Sequence, residues 1–179
     1  HPPTLEQHVY PVRDYYEFDT ALGVFSLRYN GSFYKKFQIG GATELATAMG
    51  EAKAANPAIA YPLQGLGNLL GIDGYQKSRH SASAIWRKGD WRVGLTGFRV
   101  SSFNEVLSNE QLWAIPSMTT YNATIDYTFD VCDVDSRIRV GVNNVCYERA
   151  PLADESFGLF CVAHRYWGRF LYVYLRMQL

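Results

Sequence analysis

The segment 168–178, close to the carboxyl end of the chain, alternates between apolar and polar side chains. From residue 171 onward, one parity holds Leu171, Val173, Leu175, Met177 and Leu179, and the other holds Tyr172, Tyr174, Arg176 and Gln178. Successive side chains of a β-strand point to opposite faces, so this pattern predicts an amphipathic strand. Chain ends usually fray into polar tails. An apolar face that continues to the terminus therefore needs a covering surface, which is either a hydrophobic core or a lipid bilayer.

Six further segments show the same two-residue period and complete a predicted set of about seven strands. They cover residues 8–18, 22–37, 78–87, 120–129 and 137–143, and one begins at residue 91. The segment 22–37 would span roughly 50 Å at about 3.3 Å per residue. Strands of globular proteins usually have about 5–6 residues, so this length counts against a small soluble sheet.

Two irregularities are expected within these strands. Residues 1–7 are polar and proline-led and are expected to be irregular, and Pro11 limits the first strand to a sheet edge or a bulge. Beyond Gly97, Phe98 and Val100 fall on the polar parity. This change of phase predicts a β-bulge near Gly97.

A helix is predicted in the longest break between strands. Residues 43–56 place apolar side chains at helical spacing, with Thr43 as the cap and Pro57 as the stop. The glycine-rich residues that follow, up to residue 77, are predicted to form a loop.

The two faces of the predicted strands differ in composition in the way a membrane barrel requires. One face carries Arg, Asn, Thr, Ser, Asp and Tyr, and the other carries aliphatic residues with aromatic residues beside the turns, at Phe18, Trp86, Trp91, Tyr127 and Phe129. Connections at 19–21, 88–90 and 130–135 are short, whereas those at 38–77, 103–117 and 144–167 are long. Outer-membrane barrels combine an apolar outer band, aromatic girdles, short periplasmic turns and long extracellular loops. The sequence therefore predicts an all-β, antiparallel up-and-down meander that forms part of a transmembrane β-barrel.

Composition narrows the classes of function. The formal net charge is zero, from 17 basic and 17 acidic residues, so there is no basic surplus for nucleic-acid binding. No run of about 18 apolar residues predicts a transmembrane helix. No nucleophile elbow, carboxylate pair, metal cluster or phosphate loop stands out, so neither an enzyme nor a bound cofactor is expected. The chain does not begin with Met, and we interpret it as a piece of a longer protein.

Two other classes stay open from the residues alone. A soluble sandwich or small β-barrel that binds an apolar ligand also has alternating strands with one wet face. An outer-membrane enzyme that uses a barrel as scaffold would need a nucleophile and its base at the barrel rim. Dependence on detergent separates the first alternative from a membrane barrel.

Several segments resemble the carboxyl-terminal part of TonB-dependent outer-membrane receptors. They are MTTYNATIDYTF, SRIRVGVNNV, ERAP and the terminal GRFLYVYLRMQL, together with the earlier hairpin GNLLGIDGYQKSRHSASAIWRKGDWRVGLTGFRVSSF and FDTALGVFSLRYNGSFYKKF. The chain departs from the family at Cys146 and Tyr147, where Phe-Asp is usual, and at Leu179, where Phe is usual.

The resemblance implies a function and a set of partners. Members have a 22-stranded barrel closed by an amino-terminal plug and import scarce nutrients such as siderophores, cobalamin or glycans. Residues 1–179 would supply about the last seven strands, with no plug domain, in the outer membrane of a Gram-negative bacterium. Expected partners are outer-membrane lipid, the remaining strands and plug, the TonB complex through the absent amino-terminal part, and a small-molecule ligand.

Candidate ligand-binding residues lie in the last long loop and on the polar face. His164 and Arg165 of the loop could contact an anionic ligand or be merely solvated. The polar-face arginines could bind a carboxylate-rich ligand, contact the plug, or pair with Asp126 and Glu17; they are Arg28, Arg79, Arg92, Arg137, Arg139 and Arg176. Cys146 and Cys161 flank the last long loop and could form a disulfide or remain free thiols.

Overall fold

A computed structural model describes residues 4–40, 43–56, 67–107, 111–132, 134–154, 158 and 168–178. Its elements, in chain order, are β1 Thr4–Thr20, β2 Gly23–Gly40, α1 Thr43–Ala55, β3 Gly67–Asn68, β4 Ser78–Lys88, β5 Trp91–Val100, β6 Phe103–Val106, β7 Leu112–Ile115, β8 Met118–Val131, β9 Val134–Asn143 and β10 Phe170–Gln178. The helix confirms the prediction for residues 43–56.

Seven long strands pair in the order β1-β2-β4-β5-β8-β9-β10, and every neighbouring pair is antiparallel. The short strand β3 pairs with the end of β2, and β6 and β7 form a separate hairpin. This order confirms the predicted all-β, up-and-down meander of seven strands. Each long strand pairs with the long strands that precede and follow it in the chain.

The connections alternate in length, as predicted. The connections after β1, β4 and β8 are each two residues long, and Gly89 (φ 52°) and Cys132 (φ 50°) take the left-handed conformation that tight hairpins need. The other three connections span residues 41–77, 101–117 and 144–169. An antiparallel meander places all short turns at one edge of the sheet and all long connections at the other, which are named the short-turn edge and the long-loop edge below.

The first strand begins earlier than predicted. Thr4 already pairs with Gly40, so the expectation that residues 1–7 are irregular is wrong for residues 4–7. Polar side chains here continue the ladder because Glu6 accepts a hydrogen bond from Lys36 at 2.6 Å. Pro11 lies in a strand at the end of the sheet order, as predicted.

The β-bulge lies in β2, and the prediction of one near Gly97 is wrong. The register of β1 and β2 shifts between His8 and Val9, which leaves Lys35 as the extra residue. Gly97 instead pairs regularly with Ala82 and Tyr121. Phe98 and Val100 therefore remain on the polar face, at the long-loop edge. Val100 pairs with the buried Met118, whereas Phe98 is 44% exposed.

The apolar core of the described residues lies at the long-loop edge and not beneath the sheet. Phe103 and Ile115, from the β6–β7 hairpin, pack with Ala153. The sequence pattern missed this hairpin within the predicted loop 103–117. Leu69 and Met118 complete the set of buried apolar side chains in this part of the chain. The central rows of the sheet contribute none of them.

Candidate functional site

The sheet carries two uninterrupted rows of apolar side chains on one face. Cross-strand pairing places Phe18, Phe25, Trp86, Val93, Ile125, Val140 and Val173 in one row, and Tyr16, Leu27, Ala84, Leu95, Ala123, Val142 and Leu171 in the next. Each row crosses all seven long strands without a charged residue. This surface is named the apolar face.

The apolar face is the more exposed side of the sheet. Ile125, in the middle of a row, is 48% exposed, whereas the neighbouring Asp126 on the opposite face is 2% exposed. In a water-soluble sheet the apolar side packs against a core and the polar side faces solvent. The described residues show the inverse arrangement, which requires another apolar medium or surface over this face.

Charged side chains limit the apolar face at both ends. On β5, Trp91 lies beside Lys88 at the short-turn edge, and Arg99 marks the long-loop edge, where its guanidinium donates to Thr119 and Ser117 at 3.0 and 3.1 Å. The strand covers this distance in nine residues. A transmembrane strand needs about 9–11 residues when it is tilted by about 45°, so the height of the apolar face matches a bilayer core.

Aromatic rings gather at both margins of the apolar face. At the short-turn edge, the rings of Trp91 and Tyr127 lie 4.6 Å apart, and the Trp86 indole N–H donates to the carbonyl of Leu22 at 2.8 Å. Toward the long-loop edge, the Tyr29 hydroxyl and His80 Nδ1 share a hydrogen bond of 2.7 Å. Rings with one apolar and one polar end suit the boundary between a membrane and water.

The opposite, polar face holds a buried carboxylate between two of the predicted site residues. Asp126 accepts hydrogen bonds from Arg139, through Nε at 2.5 Å and Nη2 at 3.1 Å, and from Arg137 Nη2 at 2.5 Å. Cross-strand register explains the contact, because Asp126 lies opposite Arg139. Arg137 and Arg139 are therefore ion-paired with Asp126, which is one of the alternatives left open from the sequence.

A second cluster on this face was missed by sequence reasoning. Glu17 accepts hydrogen bonds from Tyr15, Ser26 and Arg87, at 2.5, 2.6 and 2.6 Å. Glu17 and Arg87 are 70 residues apart and meet only because β2 aligns their two strands. The sequence left open a pairing of Glu17 with one of six polar-face arginines, but its partner among the described residues is Arg87, which was not one of them.

The remaining predicted residues are dispersed. Arg176 lies opposite Arg137 on β10 and has no carboxylate partner among the described residues. Arg28 lies over the Tyr15 ring at 5.6 Å, and Arg92 lies opposite Asp126. His164, Arg165 and Cys161 lie outside the described residues. Cys146 is an exposed free thiol.

The pKa values of carboxyl groups at the two edges are shifted in opposite directions. A hydrogen bond with Asp135, which lies opposite Asp130 on β9, raises the pKa of the Asp130 carboxyl. At the long-loop edge, the hydrogen bond from Lys36 lowers the pKa of Glu6. Glu6, Asp130 and Asp135 are exposed, so both edges carry titratable carboxyl groups beyond the apolar face.

The described residues contain no group of three or more His, Cys, Asp or Glu side chains that would hold a metal ion. The helix in this part of the chain is too short and too polar to cross a bilayer. Comparison with protein-family models, with curated proteins and with solved structures gives no match.

Proposed function

We propose that the chain is part of the wall of an outer-membrane β-barrel, with lipid covering the apolar face and the polar face lining the barrel interior. The observation that carries the proposal is the pair of uninterrupted apolar rows, exposed across seven strands, opposite a face that holds a buried carboxylate paired with two arginines. A bilayer stabilises such a surface, because lipid contacts the apolar outer face of a barrel while water contacts its polar interior.

Within this class, we propose a receptor of the TonB-dependent type. The sequence resemblance and the alternation of two-residue turns with long connections support this choice. The long-loop edge would then be extracellular and the short-turn edge periplasmic. The protein would take up a scarce small molecule with energy from the TonB complex, through a plug held inside the barrel, in the outer membrane of a Gram-negative bacterium. The barrel wall itself would perform no catalysis.

Lipid-attached quenchers test the orientation directly. Cys132, Cys146 and Cys161 are replaced by Ser, and a single Cys is placed at Ile125 or, as the matched control, at Thr124 on the other face. Each variant is labelled with an environment-sensitive fluorophore and refolded into liposomes with brominated acyl chains. We expect strong quenching of the label at position 125 and little at position 124.

Equal quenching at the two positions would reject the bilayer assignment. A chain that folds as a monomer without detergent, with the label at position 125 shielded from water, would favour a soluble barrel. A separate experiment tests the receptor assignment. Deletion of the whole coding region should abolish TonB-dependent uptake of the nutrient. If the barrel belongs to another class, that uptake should stay intact.

A further inference from the structure

A small cleft lies on the polar face at the long-loop edge, between β2 and the segment that leads into β4. Its volume is about 170 Å³. The side chains that line it are three aromatic rings, one aliphatic side chain and three polar side chains, namely Tyr34, Phe37, Tyr75, Leu70, Gln7, Gln76 and Arg79. None of the interactions described above uses this cleft.

Backbone hydrogen bonds fix the walls of the cleft. The N–H of Leu69 donates to the carbonyl of Phe37 at 2.8 Å, and the N–H of Tyr34 donates to the carbonyl of Lys77 at 2.9 Å. Between these points the chain turns back on itself through Gly71 and Gly74, whose φ values of 82° and 84° favour glycine. The segment is thus tied to β2 at both ends, and the cleft has a defined shape.

Gln76 is a buried amide with unused hydrogen-bonding capacity. It is 4% exposed, and its Nε2 has no hydrogen-bond partner within the described part of the chain. Its Oε1 accepts a hydrogen bond from Arg79 Nε at 2.5 Å. A buried amide donor without an acceptor is unfavourable. An acceptor oxygen at this end of the cleft would satisfy it.

Arg79 supplies the positive charge beside this amide. Its Nε is bonded to Gln76, and its two terminal nitrogens make no hydrogen bond to the described residues. A guanidinium binds a carboxylate through paired hydrogen bonds, and a carboxylate oxygen also accepts from an amide N–H. The Arg79 end of the cleft therefore favours an oxyanion.

The other end of the cleft is aromatic. The rings of Phe37 and Tyr75 stack with centroids 4.1 Å apart, and Tyr34 lines the same cleft. An apolar cavity of about 150 Å³ is enough to hold a benzene ring. A volume of about 170 Å³ therefore accommodates one ring with one small substituent.

We propose that this cleft binds a small aromatic carboxylate, or a single-ring carboxylate group of a larger ligand. The ring lies against Phe37, Tyr75 and Tyr34. The carboxylate lies between Arg79 and the free N–H of Gln76. The inference goes beyond the proposed function, because it requires only the cleft and not the bilayer. In a barrel, the cleft would face the interior near its extracellular mouth, where an incoming ligand arrives first.

Titration calorimetry on the full-length protein that contains this chain, in detergent micelles, tests the proposal with benzoate as the probe. Benzamide has the same shape without the charge, and acetate has the charge without the ring. We expect saturable binding of benzoate at one site, at least tenfold tighter than binding of benzamide or acetate. Equal affinity for benzoate and benzamide, or no saturable binding, would overturn the proposal; benzamide also controls for partition into the micelle.

Variants separate the cleft from general effects. Gln76→Glu removes the amide donor and places a negative charge beside Arg79, so benzoate affinity should fall at least tenfold, as it should for Arg79→Gln. Arg99→Gln is the matched control, since Arg99 bonds to Ser117 and Thr119 away from the cleft. If Gln76→Glu loses its β-sheet circular dichroism spectrum, Phe37→Leu tests the ring contact instead. Unchanged affinity in folded variants would refute the assignment. The quenching experiment on the apolar face is independent of this result.

Discussion

Replacement of Ile125 by arginine tests which medium covers the apolar face. Ile125 lies in the middle of an apolar row, opposite Val93 on one side and Val140 on the other. It is 48% exposed, so its neighbours in the sheet bury only about half of its surface. A substitution at an exposed site in water usually changes stability by no more than about 0.5 kcal/mol.

The expected magnitude in a bilayer is much larger. Arginine on the lipid face of a barrel costs about 2–4 kcal/mol near the midplane and about 0–1 kcal/mol near the interfaces. Ile125 lies two residues along β8 from Tyr127, which pairs with Trp91 at the short-turn edge, and six residues from Thr119, which pairs with Arg99. It is therefore inside the apolar face but nearer its short-turn margin than its middle, and a cost between these two ranges, about 1–2 kcal/mol, is expected.

Urea unfolding in liposomes measures this loss. With a dependence on urea of about 2 kcal/mol per molar, the midpoint should fall by about 0.5–1 M for Ile125→Arg. Thr124→Arg, one residue away on the polar face, is the control and should lower the midpoint much less. Equal losses for the two variants, or a loss of only about 0.5 kcal/mol at residue 125, would refute the assignment of lipid to this face.

Three further outcomes follow from the polar face and the edges. Asp126→Asn should destabilise the folded chain by about 1.5–3 kcal/mol in urea unfolding, because it removes the charged acceptor of hydrogen bonds from Arg137 and Arg139, each about one-third exposed. Asp135 raises the pKa of Asp130 in the folded chain above its ordinary value of 3.8. The free energy of unfolding should therefore fall as the pH rises from 3.8 through the pKa of Asp130 in the folded chain. Asp135→Asn should remove this fall and raise the urea midpoint at pH 7. Refolded alone, the chain should aggregate or self-associate through its end strands, and a compact monomer with a heat-dependent shift on a gel would contradict this expectation.

Local pattern predicts the strands and part of the polar face. A two-residue turn fixes the register of the strands on either side, so the position of the turn after β8 already pairs Asp126 with Arg139. The first turn was predicted at residues 19–21, which would pair Glu17 with Gly23; the turn lies at residues 21–22 and pairs Glu17 with Ser26. An error of one or two residues in the position of a turn is thus enough to change every cross-strand pair.

The register of two strands joined by a long connection cannot be predicted from the position of a turn. The register of β2 and β4 depends on how residues 41–77 fold, so the ion pair between Glu17 and Arg87 is not determined by either turn. The cleft at Gln76 depends on left-handed backbone at Gly71 and Gly74, and the β6–β7 hairpin has only four residues per strand. Periodicity is a weak signal over such short segments.

The two end strands of the sheet differ in how readily they would accept another strand. Among the described strands, β1 and β10 each have one neighbour. β1 contains Pro11 and faces the bulge at Lys35, and proline, bulges and charged side chains are the features that prevent edge pairing. β10 has neither proline nor bulge in its nine residues, and Arg176 is its only charged side chain. Its hydrogen-bonding edge is regular and its apolar side chains continue both rows of the apolar face. The carboxyl-terminal strand is therefore the end at which a further barrel strand would extend the sheet with least rearrangement.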